Sequence, residues 1–236
     1  GGTSTDVSRY ANGYDYVSEL EVGEAHLFTQ ALAIETVAAG GGSICHLHEG
    51  QLQVGPDSAG ASPGPACYGN NGPLAVTDLN LISGRIDPDS FGFPINKPAA
   101  EQAFNEIVAK LRASDPRSQG IDLLNGFLAI ANQKMADAVK KISINKGFDP
   151  KEYQLLGFGG AIGQHICDIA DLLNVSKILI PFEGSLLSAV GIGSAKVERH
   201  EIKQVLKPLA DKTEVLESID QLSTLALRQI KNDGIE

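Results

Sequence analysis

Residues 153–183 read YQLLGFGGAIGQHICDIADLLNVSKILIPFE, and this stretch restricts the fold more than any other. A short apolar run at 155–158 is bounded by polar residues. Gly157, Gly159, Gly160 and Gly163 fall within seven positions. Ile162, Ile166, Ile169, Leu172 and Leu173 then recur at helical spacing, and a second apolar run at 178–180 stops at Pro181. The pattern predicts strand, glycine turn, helix, strand. A turn without Cβ atoms lets backbone N–H groups and the positive end of a helix approach a phosphate or sugar closely. The same glycines also suit a tight turn with close helix–strand packing. Four at one junction favour nucleotide contact.

A dinucleotide fingerprint, G-x-G-x-x-G, is the rival reading. Gly157 and Gly159 fit it, and Glu183 imitates its ribose-binding acid. Ile162 stands where the third glycine belongs, and Gly163 comes one residue late. The mismatch falls where the helix must touch the strand, so this reading ranks second.

Glycine also dominates the opening. Residues 1–6, GGTSTD, offer free N–H groups, hydroxyl donors and one carboxylate. That set suits phosphate oxygens and a magnesium-bound water, and it equally suits a polar hairpin tip. No strand precedes this turn to feed it, so the chain is expected to be a fragment of a longer one. Strands are predicted at 7–10 and 14–22 around Asn12-Gly13. Residues 31–38 lead to Gly40, Gly41, Gly42 and Ser43. A hairpin over Glu49-Gly50 joins 44–48 to 51–54. His46 and His48 share one face of its first strand. A His-x-His pair can bind metal, but no third ligand is near, so solvated strand histidines are expected.

Residues 55–72 carry glycine and proline with little aliphatic bulk, the composition of an ordered functional loop, with Asp57 and Ser58 as candidate polar contacts. At 74–80, Thr77 and Asp78 end a short strand. Asp78 can hold metal or substrate, or cap a helix beginning near Leu79; the local pattern favours the cap. Helices follow at 98–111 and 121–145, the second closed by Gly147. At 184–196 a helix carries Gly184, Ser188, Gly191 and Ala195 on one face, which predicts a close crossing with another element. A strand at 197–207 and an amphipathic helix at 213–231 complete the chain.

With 236 residues and 42% apolar content, the chain has room for one large domain or two small ones. Its net charge of −10, with the Lys140–Lys141 pair isolated, argues against a nucleic-acid surface. No apolar run approaches the ~18 residues of a membrane span, and no stretch reads as a signal peptide. The widely spaced Cys45, Cys67 and Cys167 predict reduced thiols and a cytoplasmic protein.

The motifs GGTSTDVSRY, AAGGGSI, VGPDSAGASPGPACYG, VTDLN and GFGGAIGQH, in this order, resemble the hydantoinase A/5-oxoprolinase family from Gly1 to about Lys196. GGTSTDVSRY and GGAIGQH look more like 5-oxoprolinases than like hydantoinase or acetone-carboxylase subunits. The resemblance implies an α/β, actin/hexokinase-like ATPase lobe with ribonuclease-H-like topology, a mixed sheet and flanking helices. Residues 1–200 would form the family's second lobe, with a helical insertion at about 97–147. Residues 201–236 would belong to the same domain or begin the next. The small-residue helix would be the interlobe connection. The residues that usually follow GGGSI are replaced by Cys45, His46, Leu47 and His48, so no role is carried onto them.

The implied activity is ATP-dependent opening of a cyclic amide, with 5-oxo-L-proline giving L-glutamate, by phosphoryl activation of the lactam oxygen. The implied cofactors are ATP and Mg²⁺. Gly1, Gly2, Thr3, Ser4 and Thr5 would hold phosphates, and Asp6 would orient the metal or its water. Gly157, Gly159, Gly160 and Ala161 would lie against adenosine. Asp78 and Ser43 would face the substrate. The implied partners are an N-terminal lobe and a hydantoinase-B-like subunit or domain, both missing here, so this stretch alone is expected to be inactive. A homodimer through surfaces the missing lobe leaves open is a further expectation. An N-methylhydantoinase, an acetone-carboxylase-type subunit and a non-catalytic nucleotide-binding module remain alternatives.

Overall fold

One long helix joins two apolar cores in the computed structural model, which describes residues 2–23, 25–28, 30–206 and 212–234. In chain order the N-terminal part contains β1 (Thr5–Ser8), β2 (Tyr16–Val17), β3 (Leu20–Val22), β4 (Ala25–Leu27), β5 (Ala31–Leu32) and β6 (Ile34–Val37). A hairpin of β7 (Ser43–His48) and β8 (Gln51–Ser58) follows. Then come α1 (Val76–Ile82), α2 (Lys97–Ser114) and α3 (Gly120–Ile142). The glycine-rich unit is β9 (Leu155–Leu156), α4 (Ile166–Leu173) and β10 (Ile178–Leu179). Helices α5 (Leu187–Ser194) and α6 (Lys212–Asn232) close the chain.

The apolar stripe of α3 explains its central place. Leu123, Leu124, Phe127, Leu128 and Ala131 pack with Cys45, Val54, Val76, Leu79, Phe104 and Val108 in the first core. One turn further on, Met135 and Ala136 join Ala39, Ile169, Ala170, Leu173 and Val175 in the second. Burying each large aliphatic or aromatic side chain contributes about 1.5–3 kcal/mol, so this helix carries much of the apolar stabilisation. The β7–β8 hairpin lies against it, with Gly126 leaving room for Leu52: a Cβ there would sit 2.7 Å from Leu52 Cδ1. Glu49 and Gly50 both take positive φ, 50° and 78°, as the tight hairpin turn requires.

The mixed α/β class is as expected, and the strand–helix–strand reading of 153–183 holds, with β9 and β10 paired in parallel. The strands pair in twos among the described residues, β9–β10 in parallel and the other pairs antiparallel. Strand β1 pairs antiparallel with β6, Asp6 opposite Thr36, and not with the segment after Asn12-Gly13. That turn survives as an isolated Tyr10–Tyr14 bridge with Asn12 at φ 58°. Helix α1 starts three residues earlier than expected.

Three further expectations are corrected. The stripe from Ile162 does not form one helix: a 3-10 turn, Ile162–Gln164, precedes α4. Helix α5 makes no close crossing among the described residues, and its residues from Val190 to Ser194 are exposed. Residues 197–206 form no strand; Lys207 lies outside the described residues. This segment is held on α6 and the residue after it by side chains, Lys203 to Ser218 and Arg199 to Asp233, instead of by a backbone ladder. No described helix is long and apolar enough to cross a membrane.

Candidate functional site

Three glycine-rich bends border the second core, and their backbone hydrogen bonds decide what each can offer a ligand. The central one, Gly40 to Gly42, is buried and works as a junction. Gly42 N–H donates to Gly2 O at 2.5 Å, which docks the opening bend on it. Thr77 donates to Gly41 O from both its N–H and its hydroxyl, at 2.8 and 2.9 Å. A Cβ on Gly41 would stand 2.6 Å from Thr77 Oγ1, and one on Gly42 2.8 Å from Ser58 Oγ. These glycines are required by close packing of three segments.

In the opening bend, Thr5 Oγ1 donates to Ala39 O at 2.7 Å, so its proton is already used. Thr3 and Ser4 have no hydrogen-bond partner for N–H or hydroxyl among the described residues. Asp6 is exposed on β1, and one carboxylate oxygen accepts from Thr36 Oγ1 at 2.7 Å. Its other oxygen is available to a metal-bound water. A single carboxylate fits Mg²⁺, which usually keeps several waters and takes its other ligands from phosphates. Gly1 lies outside the described residues.

The third bend divides in two. Gly157 N–H donates to Leu179 O at 2.9 Å and Gly159 N–H to Gly184 O at 2.8 Å. Both donors expected to meet adenosine are therefore spent on the fold. A Cβ on Gly157 would lie 2.3 Å from Ile166 Cδ1, so this glycine serves helix–strand packing. Gly159 takes φ 97°, a conformation that glycine tolerates best. Gly160 and Ala161 retain unpaired N–H groups among the described residues, and a Cβ on Gly160 would meet nothing within 4 Å.

A clamp relates the first and third bends. Arg9, just past β1, donates to Tyr153 Oη at 2.9 Å and lies 3.7 Å from the centroid of the Phe148 ring. Asp15 fixes the guanidinium from the other side, at 2.6 and 2.8 Å. Strand β1 runs away from its bend toward this clamp, and β9 runs from the clamp toward its own bend. Each bend thus lies roughly 13 Å of extended chain from the same contact.

Asp78 and Ser43 take structural positions. Asp78 is fully buried, and its carboxylate accepts from Ala66 N–H, Cys67 N–H and Ala75 N–H at 3.0, 2.7 and 2.8 Å. It accepts from the N-cap N–H of α1 from within the first turn, where the local pattern had set it just ahead of the helix, and it also ties down the 55–72 loop. Ser43 is buried, its Oγ accepting from Gly40 N–H at 3.0 Å. Burial, with Asp78 nearby, pushes the Cys45 and Cys67 thiols far up. Cys167 is an exposed free thiol. His46 is half-buried and His48 exposed. Among the described residues, no group of three or more His, Cys, Asp or Glu is placed to hold a metal.

Next to the third bend lies a buried polar cluster that the sequence reading missed. His165, 2% exposed, links Asn132 of α3 to Asn80 of α1. Gln164, Asp168 and Arg85 extend it. Burial, then the positive charge of Arg85, lowers the His165 pKa to about 4, against the opposing pull of Asp168. The legible signal was a polar residue on an apolar stripe: Asn132 sits four residues after Leu128.

Two shallow surface concavities lie elsewhere. One of about 520 Å³ runs along the outer face of α2, lined by Pro98, Gln102 and Asn105; another of about 370 Å³ is lined by Gln30, His200 and Leu222. The first is walled by a single helix, and neither includes a residue of the bends. The unpaired donors, rather than concavity, identify the candidate site.

Comparison with known proteins agrees with the motif order. The hydantoinase/oxoprolinase family profile matches residues 1–201. The chain is 42% identical over 207 residues to the 5-oxoprolinase PfmaA of Pestalotiopsis fici, covering 84% of this chain and 16% of that protein. It is 37% identical over 250 residues to a 5-oxoprolinase of Dictyostelium discoideum, covering 99% of this chain and 20% of that one. The crystal structure of the ATP-dependent caprolactamase from Pseudomonas jessenii superimposes with a TM-score of 0.82 at 29% identity, over 99% of this chain and 35% of that one. The chain thus spans a fifth or less of these two 5-oxoprolinases. An ordered set of glycine bends, a family profile over most of the chain and a shared fold lead to one conclusion: the chain belongs to the hydantoinase/oxoprolinase family.

Proposed function

We propose that this chain is the nucleotide-gripping part of an ATP-dependent cyclic amide hydrolase, with 5-oxo-L-proline as substrate. The observation that carries the reading is the distribution of unpaired donors. Several polar groups of the glycine bends are consumed by the fold, but Thr3, Ser4, Gly160 and Ala161, each exposed or half-buried, keep theirs. Thr3 and Ser4 bind β- and γ-phosphate oxygens, Gly160 and Ala161 lie against adenosine, and Asp6 orients Mg²⁺ through a bound water. A magnesium ion held there would neutralise phosphate charge. The 5-oxoprolinase relatives support the substrate, and the related caprolactamase supports ATP dependence.

A lactam is a poor electrophile. Transfer of the γ-phosphoryl group to its oxygen makes the ring carbon attackable, and positioning with charge neutralisation is the protein's task. One water adds to that carbon and the ring C–N bond breaks, leaving an acyl phosphate. A second water releases phosphate, giving L-glutamate, ADP and phosphate. Ring opening needs the first lobe and a second subunit or domain, so this stretch alone does not turn over. The test is Asp6→Asn in the full-length protein with its partner. Lactam-dependent phosphate release is expected to fall at least tenfold; an unchanged rate removes Asp6 from the site. A melting-temperature rise with NAD and none with ATP would instead favour the dinucleotide reading.

A further inference from the structure

The polar cluster beside the third bend has a direction, and Asp168 sets it. Arg85 Nη1 lies 2.7 Å from Asp168 Oδ2, and Asn132 Nδ2 donates to the same oxygen at 2.7 Å. A carboxylate only accepts, so the Asn132 amide nitrogen must face it and the Asn132 oxygen must face His165. His165 Nδ1, 2.7 Å away, therefore carries the ring proton. His165 Nε2 is then an acceptor, and Asn80 Nδ2 donates to it at 3.1 Å. The second N–H of the same nitrogen donates to Gln164 Oε1 at 2.8 Å. Turning Asn80 over would set its oxygen against two acceptors. The relay instead leaves buried Asn80 Oδ1 without a partner, a cost that an undirected cluster would not incur.

The relay ends on Gln164, the last residue of the 3-10 turn after the glycine bend. Its carboxamide oxygen is held by Asn80, and its backbone carbonyl accepts from Arg85 Nη1 at 2.7 Å. Its Nε2 has no partner among the described residues, on a half-buried side chain beside exposed Gly160 and Gly163. We propose that Gln164 is a ligand-contact residue whose side-chain N–H₂ donates to an acceptor atom of the bound nucleotide, and that His165 is the positioning residue that holds the amide in that orientation. The inference rests on the nucleotide reading of the bend.

Calorimetric titration of the intact protein with ATP tests it. Gln164→Glu keeps the shape and the oxygen that Asn80 holds, but replaces the outward donor with a charged acceptor. Its Kd for ATP is expected to rise at least tenfold. Gln164→Met, similar in size and without polar ends, is expected to weaken binding several-fold. His165→Gln retains an acceptor for Asn80 and is expected to bind ATP more tightly than His165→Asn, which keeps only the bond to Asn132. A merely structural His165 would not produce that order at matched melting temperature. ATP binding by both Gln164 variants within twofold of the unaltered protein overturns this inference alone. No ATP binding by the unaltered protein overturns the nucleotide reading and this inference with it.

Discussion

Gly157 packs on Ile166 so closely that a side chain there would force Ile166 to shift: a Cβ on the glycine would lie 2.3 Å from Ile166 Cδ1 and 3.2 Å from Ile162 Cγ1. Three residues on, Gly160 faces open space. Gly157→Ala is expected to cost about 1–3 kcal/mol through overpacking against buried Ile166. Gly160→Ala should leave stability within about 1 kcal/mol while weakening ATP binding by the intact protein. Urea denaturation and nucleotide titration of the two variants separate packing from ligand approach.

Stability should depend on pH through His165. Its folded pKa, about 4, lies below the ordinary 6.5, because burial and Arg85 disfavour the charged ring. The unfolded chain therefore binds the proton first as pH falls. The full contribution is present above about pH 6.5 and is lost progressively down to about pH 4. The loss amounts to at most about 3 kcal/mol. Denaturation midpoints at pH 7 and pH 4.5 measure it, and the fall should be smaller in His165→Gln.

Removing the charge from Asp78 should be expensive. Three backbone N–H groups converge on its two buried oxygens. Asp78→Asn turns one oxygen into a donor facing a donor, at an expected cost of about 2–4 kcal/mol. Because Ala66 and Cys67 belong to the 55–72 loop, that loop should become the first site of limited proteolysis.

The same loop closes on itself at Gly72, where a Cβ would stand 1.8 Å from the carbonyl oxygen of Gly64. Backbone cannot yield as a flexible side chain does. Gly72→Ala is expected to destabilise by upwards of about 3 kcal/mol, whereas Gly92→Ala, in open space, should be close to neutral. Thermal melts of both proteins check the contrast.

Short-range features are legible in the residue order. The stripe of α3, the Glu49-Gly50 turn and the strand–helix–strand order around Gly157 each arise within a few residues, where period and turn chemistry suffice. The cap role of Asp78 is legible as well. Legibility ends where small or apolar residues suggest an element whose partner is never specified. Residues 197–206 have strand composition but pair with no strand, and α5 has a small-residue face that crosses nothing among the described residues.

Residue order alone therefore established the family, the α/β class and the positions of the glycine bends. It did not establish which donors in those bends stay unpaired. Gly157 N–H is taken by Leu179, Gly159 N–H by Gly184 and the Thr5 hydroxyl by Ala39, each across a separation that no local pattern encodes. The Asp168–Asn132–His165–Asn80–Gln164 relay likewise draws on three helices and a turn. Hydrogen-bond satisfaction is settled only when the whole chain has packed, because burial forces each polar group to find whichever partner the fold brings within reach.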